Sequence, residues 1–177
     1  MIIEKSKILK ILKIFPKTNF LDKRGVYLES FNKKFYKKIV NIDFVEDNFS
    51  LNNKNVFKGI HGDNKTWKIV SCPYGKCESV IVNCDKKSNK FGLWEKFILD
   101  SKNYFQLLIP PKYGNSFLVL SKFAVYHYKQ SEYYKGKNSQ FTYNYKDPLF
   151  NIKLSKKKLI ISKRDNEASF VKQKDKL

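Results

Sequence analysis

The feature that most constrains this chain is a succession of short apolar runs, separated by turn-forming residues, that begins at residue 41. Short runs broken by Gly, Pro, Asn and Asp are typical of β-strands joined by tight connections. They lie at 42–49, 67–72, 77–84, 91–99, 104–109, 117–120, 124–129 and 159–161. Because the edges of so many short strands must be closed or covered, the pattern predicts an all-β sandwich or barrel and favours a jelly roll.

The first forty residues are less regular. Residues 7–15 mix Lys with Ile and Leu, which is compatible with a helix or a strand, and Pro16 ends either one. Gly25 predicts a tight turn, followed by a strand over 26–31. The lysine-rich segment 32–40 carries interspersed apolar residues and is interpreted as a short peripheral helix.

The size and composition indicate one globular domain. Of the 177 residues, 42% are hydrophobic and 16% aromatic, which is enough to build a core. We predict a single domain over 1–177, with a polar C-terminal tail at 166–177. No run is long enough to span a bilayer and no cleavable leader is evident, so we expect a cytoplasmic protein with no membrane partner. A membrane-surface amphipathic helix at 2–15 is the alternative.

The formal net charge of +20 invites a nucleic-acid interpretation. Only Arg24 and Arg164 are arginines, however, and the lysines are scattered through every segment. Proteins that read nucleic acids favour arginine for its bidentate fork and its stacking. We therefore predict no nucleic-acid partner, whereas an anionic small-molecule substrate fits a positive field.

A metal centre is not expected. The two histidines, His61 and His127, cannot assemble the three-histidine metal site that many jelly-roll barrels carry. Cys72, Cys77 and Cys84 have no metal-binding spacing and are predicted to be free thiols in a reducing compartment. The G-x-S-x-G, Walker and dinucleotide-binding patterns are also absent from the sequence.

The chemistry that these absences leave open is proton transfer. His61 lies between Gly59 and Gly62 and seven residues before Lys68. A histidine is suited to proton transfer near neutral pH, and a lysine can neutralise the negative charge that develops. The alternative is a structural histidine in a glycine-marked turn. His127, within Tyr126-His127-Tyr128, is predicted to face away from the barrel if the tyrosines face inward, because strand side chains alternate.

Several motifs occur in a fixed order along the chain. They are Phe20-x-Asp22-x-Arg24-Gly25-x-x-x-Glu29-x-Phe31, Asp47-Asn48-x-Ser50, Gly59-Ile60-His61, Lys68-Ile69-Val70, Ile109-Pro110, Tyr128-Lys129 with Tyr133-Tyr134, Asp147-Pro148 and Ser162-Lys163-Arg164-Asp165. The ordered set, over about residues 8–170, resembles the dTDP-4-dehydrorhamnose 3,5-epimerase family. The resemblance implies a cupin-type jelly roll, no metal, no cofactor, and a homodimer that exchanges an N-terminal strand at about 7–16.

The resemblance also implies roles for individual residues. The catalytic residues would be His61 as the base, Asp165 as its carboxylate partner, Lys68 at the enolate oxygen and Tyr128 as the proton donor on the opposite face. The substrate-binding residues would be Arg24, Glu29, Asn48, Lys58, Asn115 and Tyr134. Two structural alternatives stay open: Tyr133 and Tyr134 as core aromatics, and Asp165 as the cap of a C-terminal helix.

Departures from the family pattern bear on the substrate. Lys58 replaces the usual arginine, Asn115 replaces a histidine, Asn83 replaces an aspartate, and the loop after His61 is shortened over 62–67. These features resemble the branch of GDP-4-keto-6-deoxy-heptose C3/C5 epimerases of capsule heptose synthesis. They therefore favour a GDP-linked over a dTDP-linked keto sugar. The alternatives are a dTDP-4-dehydrorhamnose 3,5-epimerase proper, a 3,4-ketoisomerase, and a sugar-nucleotide-binding or nucleic-acid-binding module.

Overall fold

The computed structural model describes residues 1–171. Its elements, in chain order, are β1 (Ile2–Lys5), β2 (Leu12–Phe15), β3 (Lys17–Asp22), β4 (Gly25–Glu29), α1 (Lys33–Val40), β5 (Glu46–Asn53), β6 (Val56–Gly62), β7 (Lys68–Tyr74), β8 (Lys76–Asn83), β9 (Trp94–Asp100), β10 (Gln106–Ile109), β11 (Tyr113–Val119), β12 (Phe123–Gln130), β13 (Phe141–Thr142), β14 (Ile160–Ile161) and α2 (Lys163–Asn166). A single 3-10 turn lies at Lys137–Ser139 within the described range.

The long strands form two facing sheets. One has the order β1-β2-β10-β7-β12-β5, and the other has the order β13-β6-β11-β8-β9 with β14 parallel to β6. The β3–β4 hairpin forms a third, separate sheet. The expectation of an all-β barrel with short peripheral helices is therefore confirmed.

The main core lies between the two sheets. β12 contributes Tyr126, whose ring stacks on Phe117 of β11 at a centroid separation of 4.0 Å. β8 is buried along nearly its whole length, because alternate residues face this core while Val80 and Val82 are covered by the C-terminal segment that carries Phe150. Strands that are covered on both faces have almost continuously apolar sequences, and for this reason the sequence predicts a strand at 77–84.

α1 covers the outer face of the first sheet. Asn32 caps its N-terminus by accepting a hydrogen bond from the Phe35 N–H, and Asn41 ends it in a left-handed conformation. Tyr36 is fully buried against Ile14, Ile69 and Leu108, and its hydroxyl bonds Gln106 at 2.5 Å. The predicted helix over 32–40 is thus confirmed.

Several predicted elements differ from the structure. Within 7–15 only the last four residues form a strand, and the preceding loop is held by Glu95, which accepts the Ile8 and Leu9 N–H groups. The strand predicted at 42–49 begins at Glu46, and the one predicted at 117–120 begins at Tyr113. The segment around His61, for which a glycine-marked turn was the alternative, is strand β6.

The remaining sequence features have simple structural outcomes. Cys72, Cys77 and Cys84 are all buried free thiols. Neither helix in the described part of the chain has the length and apolar character needed to cross a bilayer. Of the predicted polar tail, 172–177 lies outside the described residues, and Asn166 within it ends α2.

Candidate functional site

A cavity of about 280 Å³ opens between the two sheets. Seven of the residues predicted to form the site line it: His61, Lys68, Tyr128, Asn48, Lys58, Asn115 and Tyr134. His61, Lys58 and Asn115 come from one sheet, and Lys68, Tyr128 and Asn48 come from the other. Two opposite walls therefore present ionisable groups to the same space.

His61 reaches the cavity because β6 approaches β11 closely. Gly59 has a φ of +115°, and a Cβ at this position would lie 2.5 Å from the Ser116 Cβ. Only glycine tolerates both the conformation and the contact. The pairing of β6 with β11 changes register here, between Asn115 and Phe117. This local irregularity in the β6–β11 pairing accompanies the position of His61 in the wall of the cavity.

Asp165 lies behind His61 and completes a dyad. His61 Nε2 and Asp165 Oδ1 are 2.6 Å apart, and the Gly59 N–H donates to Asp165 Oδ2 at 3.4 Å. The carboxylate comes from α2, where Ser162, not Asp165, is the N-terminal cap and accepts the Asp165 N–H. The alternative of Asp165 as a helix cap is therefore wrong.

The dyad has a defined charge distribution. Asp165 is only 2% exposed, and burial by itself would raise its pKa. The hydrogen bond and the charge of His61, with further donors, outweigh burial and hold the pKa of Asp165 below its usual value. An ionised Asp165 accepts the Nε2 proton, which leaves Nδ1 as the basic nitrogen of His61.

Lys68 supplies positive charge on the opposite wall. Its side chain is buried, and burial lowers the pKa of its ammonium group. Asp63 Oδ2 lies 4.0 Å from Lys68 Nζ. A cation in a poorly hydrated cavity interacts strongly with any negative charge that develops nearby.

Tyr128 points into the cavity from β12, as strand alternation predicted. Burial, and then the neighbouring Tyr134 and Glu46, raise the pKa of Tyr128, so the phenol is neutral and able to donate a proton. His127 lies on the opposite face of the strand, where it contacts Asp47 and Phe49. Its predicted outward orientation is confirmed.

The polar residues around the cavity are held by one another. Lys58 Nζ donates to Ser50 Oγ at 2.7 Å, and burial lowers the pKa of Lys58. Asn115 Oδ1 accepts the Tyr126 hydroxyl at 3.0 Å, and Asn48 donates to Glu46 at 2.7 Å. These contacts fix the side chains before any ligand is bound, which lowers the cost of ordering them on binding.

Comparison with known proteins agrees with this geometry. The sequence profile of the dTDP-4-dehydrorhamnose 3,5-epimerase family matches residues 6–173. The chain belongs to this family. The enzyme of that name from Salmonella typhimurium is 37% identical over 139 residues, covering 76% of this chain and 75% of its own. The Shigella flexneri enzyme is 34% identical over 173 residues, covering 94% of both.

Solved structures of the family have the same fold. The 3,5-epimerase from Legionella pneumophila, in complex with dTDP-4-keto-L-rhamnose, superposes with a TM-score of 0.88 at 33% identity, covering 95% of this chain and 91% of its own. The Bacillus anthracis enzyme, with TDP and pyrophosphate bound, has a TM-score of 0.88 at 26% identity, covering 96% and 98%. The fold is thus a cupin-like jelly roll, and the protein is a nucleotide-sugar 3,5-epimerase, an isomerase.

Two of the predicted substrate-binding residues of the epimerase do not line the cavity. Arg24 is exposed on the β3–β4 hairpin, where its Nη2 pairs with Asp22 Oδ2 at 2.6 Å. Glu29, at the end of the same hairpin, accepts a hydrogen bond from Asn32 at 3.2 Å. Within one chain these two side chains lie away from the cavity, because the hairpin pairs with neither large sheet, and their role in binding the substrate stays a prediction.

The sequence interpretation also missed cavity residues. Arg164 lines the cavity, and its guanidinium donates to Thr142 Oγ1 from Nε at 3.1 Å and from Nη2 at 2.7 Å. Its rarity in a lysine-rich chain, and its place directly before Asp165, were the available signals. Tyr133 and Tyr134 are 67% and 52% exposed, so the alternative that they are core aromatics is wrong.

No metal centre is found within residues 1–171, where no three His, Cys, Asp or Glu side chains converge as ligands. The groups that face the cavity are instead a base–carboxylate dyad, a phenol and several cations. This set is suited to moving protons and holding an anion.

Proposed function

We propose that this epimerase inverts C3 and C5 of a dTDP-linked 4-keto-6-deoxy sugar. The observation that carries the proposal is the His61–Asp165 dyad on one wall of the cavity, with Lys68 and Tyr128 on the other. The substrate class is supported by the Legionella pneumophila relative in complex with dTDP-4-keto-L-rhamnose and by the Bacillus anthracis relative with TDP bound.

The chemistry follows from the acidity of the substrate. A proton at C3 or C5 of a 4-keto sugar is acidic because its loss gives an enolate delocalised onto the C4 oxygen. His61 Nδ1 accepts the proton, and Asp165 stabilises the imidazolium that forms. The Lys68 ammonium lies near the enolate oxygen and neutralises its charge. Tyr128 then donates a proton to the opposite face of the same carbon, which inverts the centre.

The nucleotide diphosphate is held by the cations of the cavity. Lys58 and Arg164 offer positive charge, and Asn48, Asn115 and Tyr134 offer hydrogen-bonding groups. The large positive net charge favours the approach of a dianionic substrate from solution. No cofactor is needed for these steps, because the carbonyl of the substrate itself accepts the electron pair.

A homodimer completes the proposed site. The β3–β4 hairpin carries exposed Phe20 (67%) and Leu21 (77%) near Arg24, and Glu29 is its last residue. Exposed apolar residues on a projecting hairpin are typical of a protein–protein contact. In the proposed dimer the hairpin of each subunit brings Arg24 and Glu29 to the cavity of its partner, with exchange of the N-terminal segment at 7–16. The free thiols favour a cytoplasmic location.

A second candidate substrate is a GDP-linked 4-keto-6-deoxy heptose. The observations that favour it are Lys58 in place of the usual arginine, Asn115 in place of a histidine, and the shortened loop over 62–67. Lys58 bonds Ser50 and provides a point charge without a bidentate fork. The phosphates would therefore be held differently than in an arginine-bearing relative.

The test is incubation with dTDP- and GDP-4-keto-6-deoxy sugars in deuterated water, followed by NMR at C3 and C5. We expect deuterium at both centres, with inversion, and faster for the dTDP-linked sugar. Faster exchange of the GDP-heptose would favour the second candidate. A carbonyl carbon that moves from C4 to C3 would indicate a 3,4-ketoisomerase instead. No deuterium in any of these sugars would refute the proposed function.

A further inference from the structure

Lys68 is a buried cation with an unusual partner. Lys68 is 6% exposed, and burying an ammonium group away from water is costly unless a negative charge compensates it. Among the described residues, Asp63 is the carboxylate that pairs with it, at 4.0 Å between Oδ2 and Nζ. This distance exceeds that of a direct hydrogen bond, so the Lys68 N–H groups are not committed to Asp63.

The Asp63 carboxylate is fixed by the backbone of its own loop. Oδ1 accepts the Lys65 N–H at 2.9 Å and the Thr66 N–H at 2.7 Å. The Asp63 carbonyl accepts the Lys112 N–H at 2.7 Å, which ties the residue to the start of β11. With Oδ1 occupied twice, Oδ2 is the oxygen that faces Lys68. The short loop after His61 therefore presents one oriented negative charge to the lysine.

We propose that Asp63 is a positioning residue that keeps Lys68 protonated and directed at the cavity, and that it thereby sets the alkaline limit of epimerisation. The inference rests on the enolate-stabilising role proposed for Lys68 above. The distance between the two side chains is too long for a direct hydrogen bond. The ammonium therefore gains electrostatic stabilisation from Asp63 and keeps N–H groups that can donate to an oxyanion.

Other ionisable groups face the same cavity as Lys68. They are Glu46 on β5, Lys58 and His61 on β6, Tyr126 and Tyr128 on β12, Tyr134 after β12 and Arg164 on α2. The Glu46 carboxylate accepts hydrogen bonds from Asn48, Gln130 and the Tyr134 N–H. On its other side, Asp63 shares a shallow cleft with Lys65, Glu132 and Lys135.

The directions of the pKa shifts agree with this arrangement. Burial lowers the pKa of Lys68, and Asp63 opposes that effect. Burial would raise the pKa of Asp63, but the Lys65 and Thr66 N–H groups, the Thr66 side chain and the charge of Lys68 together outweigh it, so the pKa of Asp63 lies below its usual value. Asp63 is therefore ionised throughout the range in which Lys68 titrates.

The test is the pH profile of kcat/KM for Asp63→Asn. The amide keeps an oxygen for the two loop N–H groups and removes the charge. Because an opposite charge at about 4 Å shifts a pKa by about 1–3 units, the alkaline limb should move to lower pH by about that amount. At lower pH, where Lys68 is still protonated, the rate should stay close to that of the wild type. A uniform loss at every pH, with an unmoved limb, would indicate a merely structural role and overturn the proposal.

Asp85→Asn is the matched control. Asp85 also accepts a loop N–H, from Lys87 at 3.2 Å, and pairs with a lysine, Lys112, at 3.2 Å. That lysine is 42% exposed and lies outside the cavity. Removing the Asp85 charge should leave the pH profile of kcat/KM unchanged.

A second measurement does not depend on turnover. The Lys68 titration is followed by NMR of protein labelled at lysine Cε, with Lys68→Arg used for assignment. Asp63→Asn should lower the titration midpoint of Lys68, and Asp85→Asn should not. An unchanged midpoint would overturn the inference. A lowered midpoint in a protein that turns over no keto sugar would refute the proposed function and leave the Asp63–Lys68 coupling established.

Discussion

The molecule contains two histidine–aspartate pairs, and they differ in the aspartate rather than in the histidine. His61 and His127 are similarly enclosed, with side chains 24% and 14% exposed. Asp165, the partner of His61, is 2% exposed, whereas Asp47, the partner of His127, is 49% exposed and also pairs with Lys129. The same two residue types thus form a dyad on the cavity wall and an ion-pair cluster on the outer surface.

The difference shows what makes such a pair suited to catalysis. The negative charge of Asp165 is screened little by water and is directed at one imidazole. Asp47 divides its charge between His127 and Lys129 in contact with solvent. His127 also packs on Phe49 and lies 3.3 Å from Ser71 Oγ through Nδ1, so its second nitrogen is occupied. Of the two histidines, His61 is the one that lines the cavity between the sheets.

The largest expected effect separates the two histidines. His61→Asn should lower the rate of deuterium exchange by about 10²- to 10⁴-fold, because a general acid–base group contributes that much. His127→Asn should leave the rate within about twofold, since its surface ion pair adds little. Exchange at C3 and C5, measured by NMR on both variants, checks this. Comparable losses in the two variants would mean that the comparison does not bear on catalysis.

A smaller effect separates the two steps of the reaction. Tyr128→Phe should impair inversion by about 10²-fold while deuterium exchange falls much less, because only the opposite-face proton donor is lost. Inversion and exchange are followed in one NMR experiment. His127→Asn, one residue earlier on the outer face of β12, is the control. If exchange and inversion fall together, Tyr128 does not act as a separate acid.

The smallest effect concerns stability. The pKa of both Asp165 and Asp47 lies below its usual value, so each carboxylate stabilises the fold above about pH 4. That contribution disappears as the pH falls through the lowered pKa. Asp165→Asn should cost about 1–3 kcal/mol at pH 7, because the buried hydrogen bonds to this group lose its negative charge, whereas Asp47→Asn should cost under about 1 kcal/mol.

Urea unfolding followed by tryptophan fluorescence measures both costs. The difference between the wild type and Asp165→Asn should be constant from pH 7 to pH 5 and should narrow below about pH 4, where the wild-type carboxylate also becomes neutral. A difference that grows as the pH falls would have the wrong sign for a lowered pKa and would contradict the assignment.

The sequence predicted the barrel because strands buried on both faces are recognisable as apolar runs. β8 shows this well, since it was predicted to within one residue at its start and end. β12, which carries His127 on its outer face, was predicted equally closely from its apolar and aromatic residues. β6 was not predicted as a strand because Gly59 and Gly62 suggested a turn, and the close approach to Ser116 that requires Gly59 depends on the tertiary structure. Local patterns predict elements, while close packing between elements is set by residues distant in the chain.

The site was predictable in part. Alternation along β12 correctly separated His127 from Tyr128, and the family resemblance brought His61, Lys68 and Asp165 together. The resemblance could not show that Arg24 lies on a hairpin outside the cavity of its own chain, because a motif does not state which subunit it serves. The pairing of Asp63 with Lys68 was missed because the loop conformation, and not the residue spacing, orients Asp63 Oδ2.

The position of Asp165 has a consequence for how the enzyme is made. His61 and its carboxylate are 104 residues apart, and Asp165 follows every strand of the described structure. The ribosome therefore synthesises the sequences of all these strands before it adds Asp165, the second member of the dyad. A nascent chain interrupted before α2 would hold the base and the phenol but lack the carboxylate that orients the imidazole. Catalytic competence would thus arrive late in translation, after the sequences of both sheets have been synthesised.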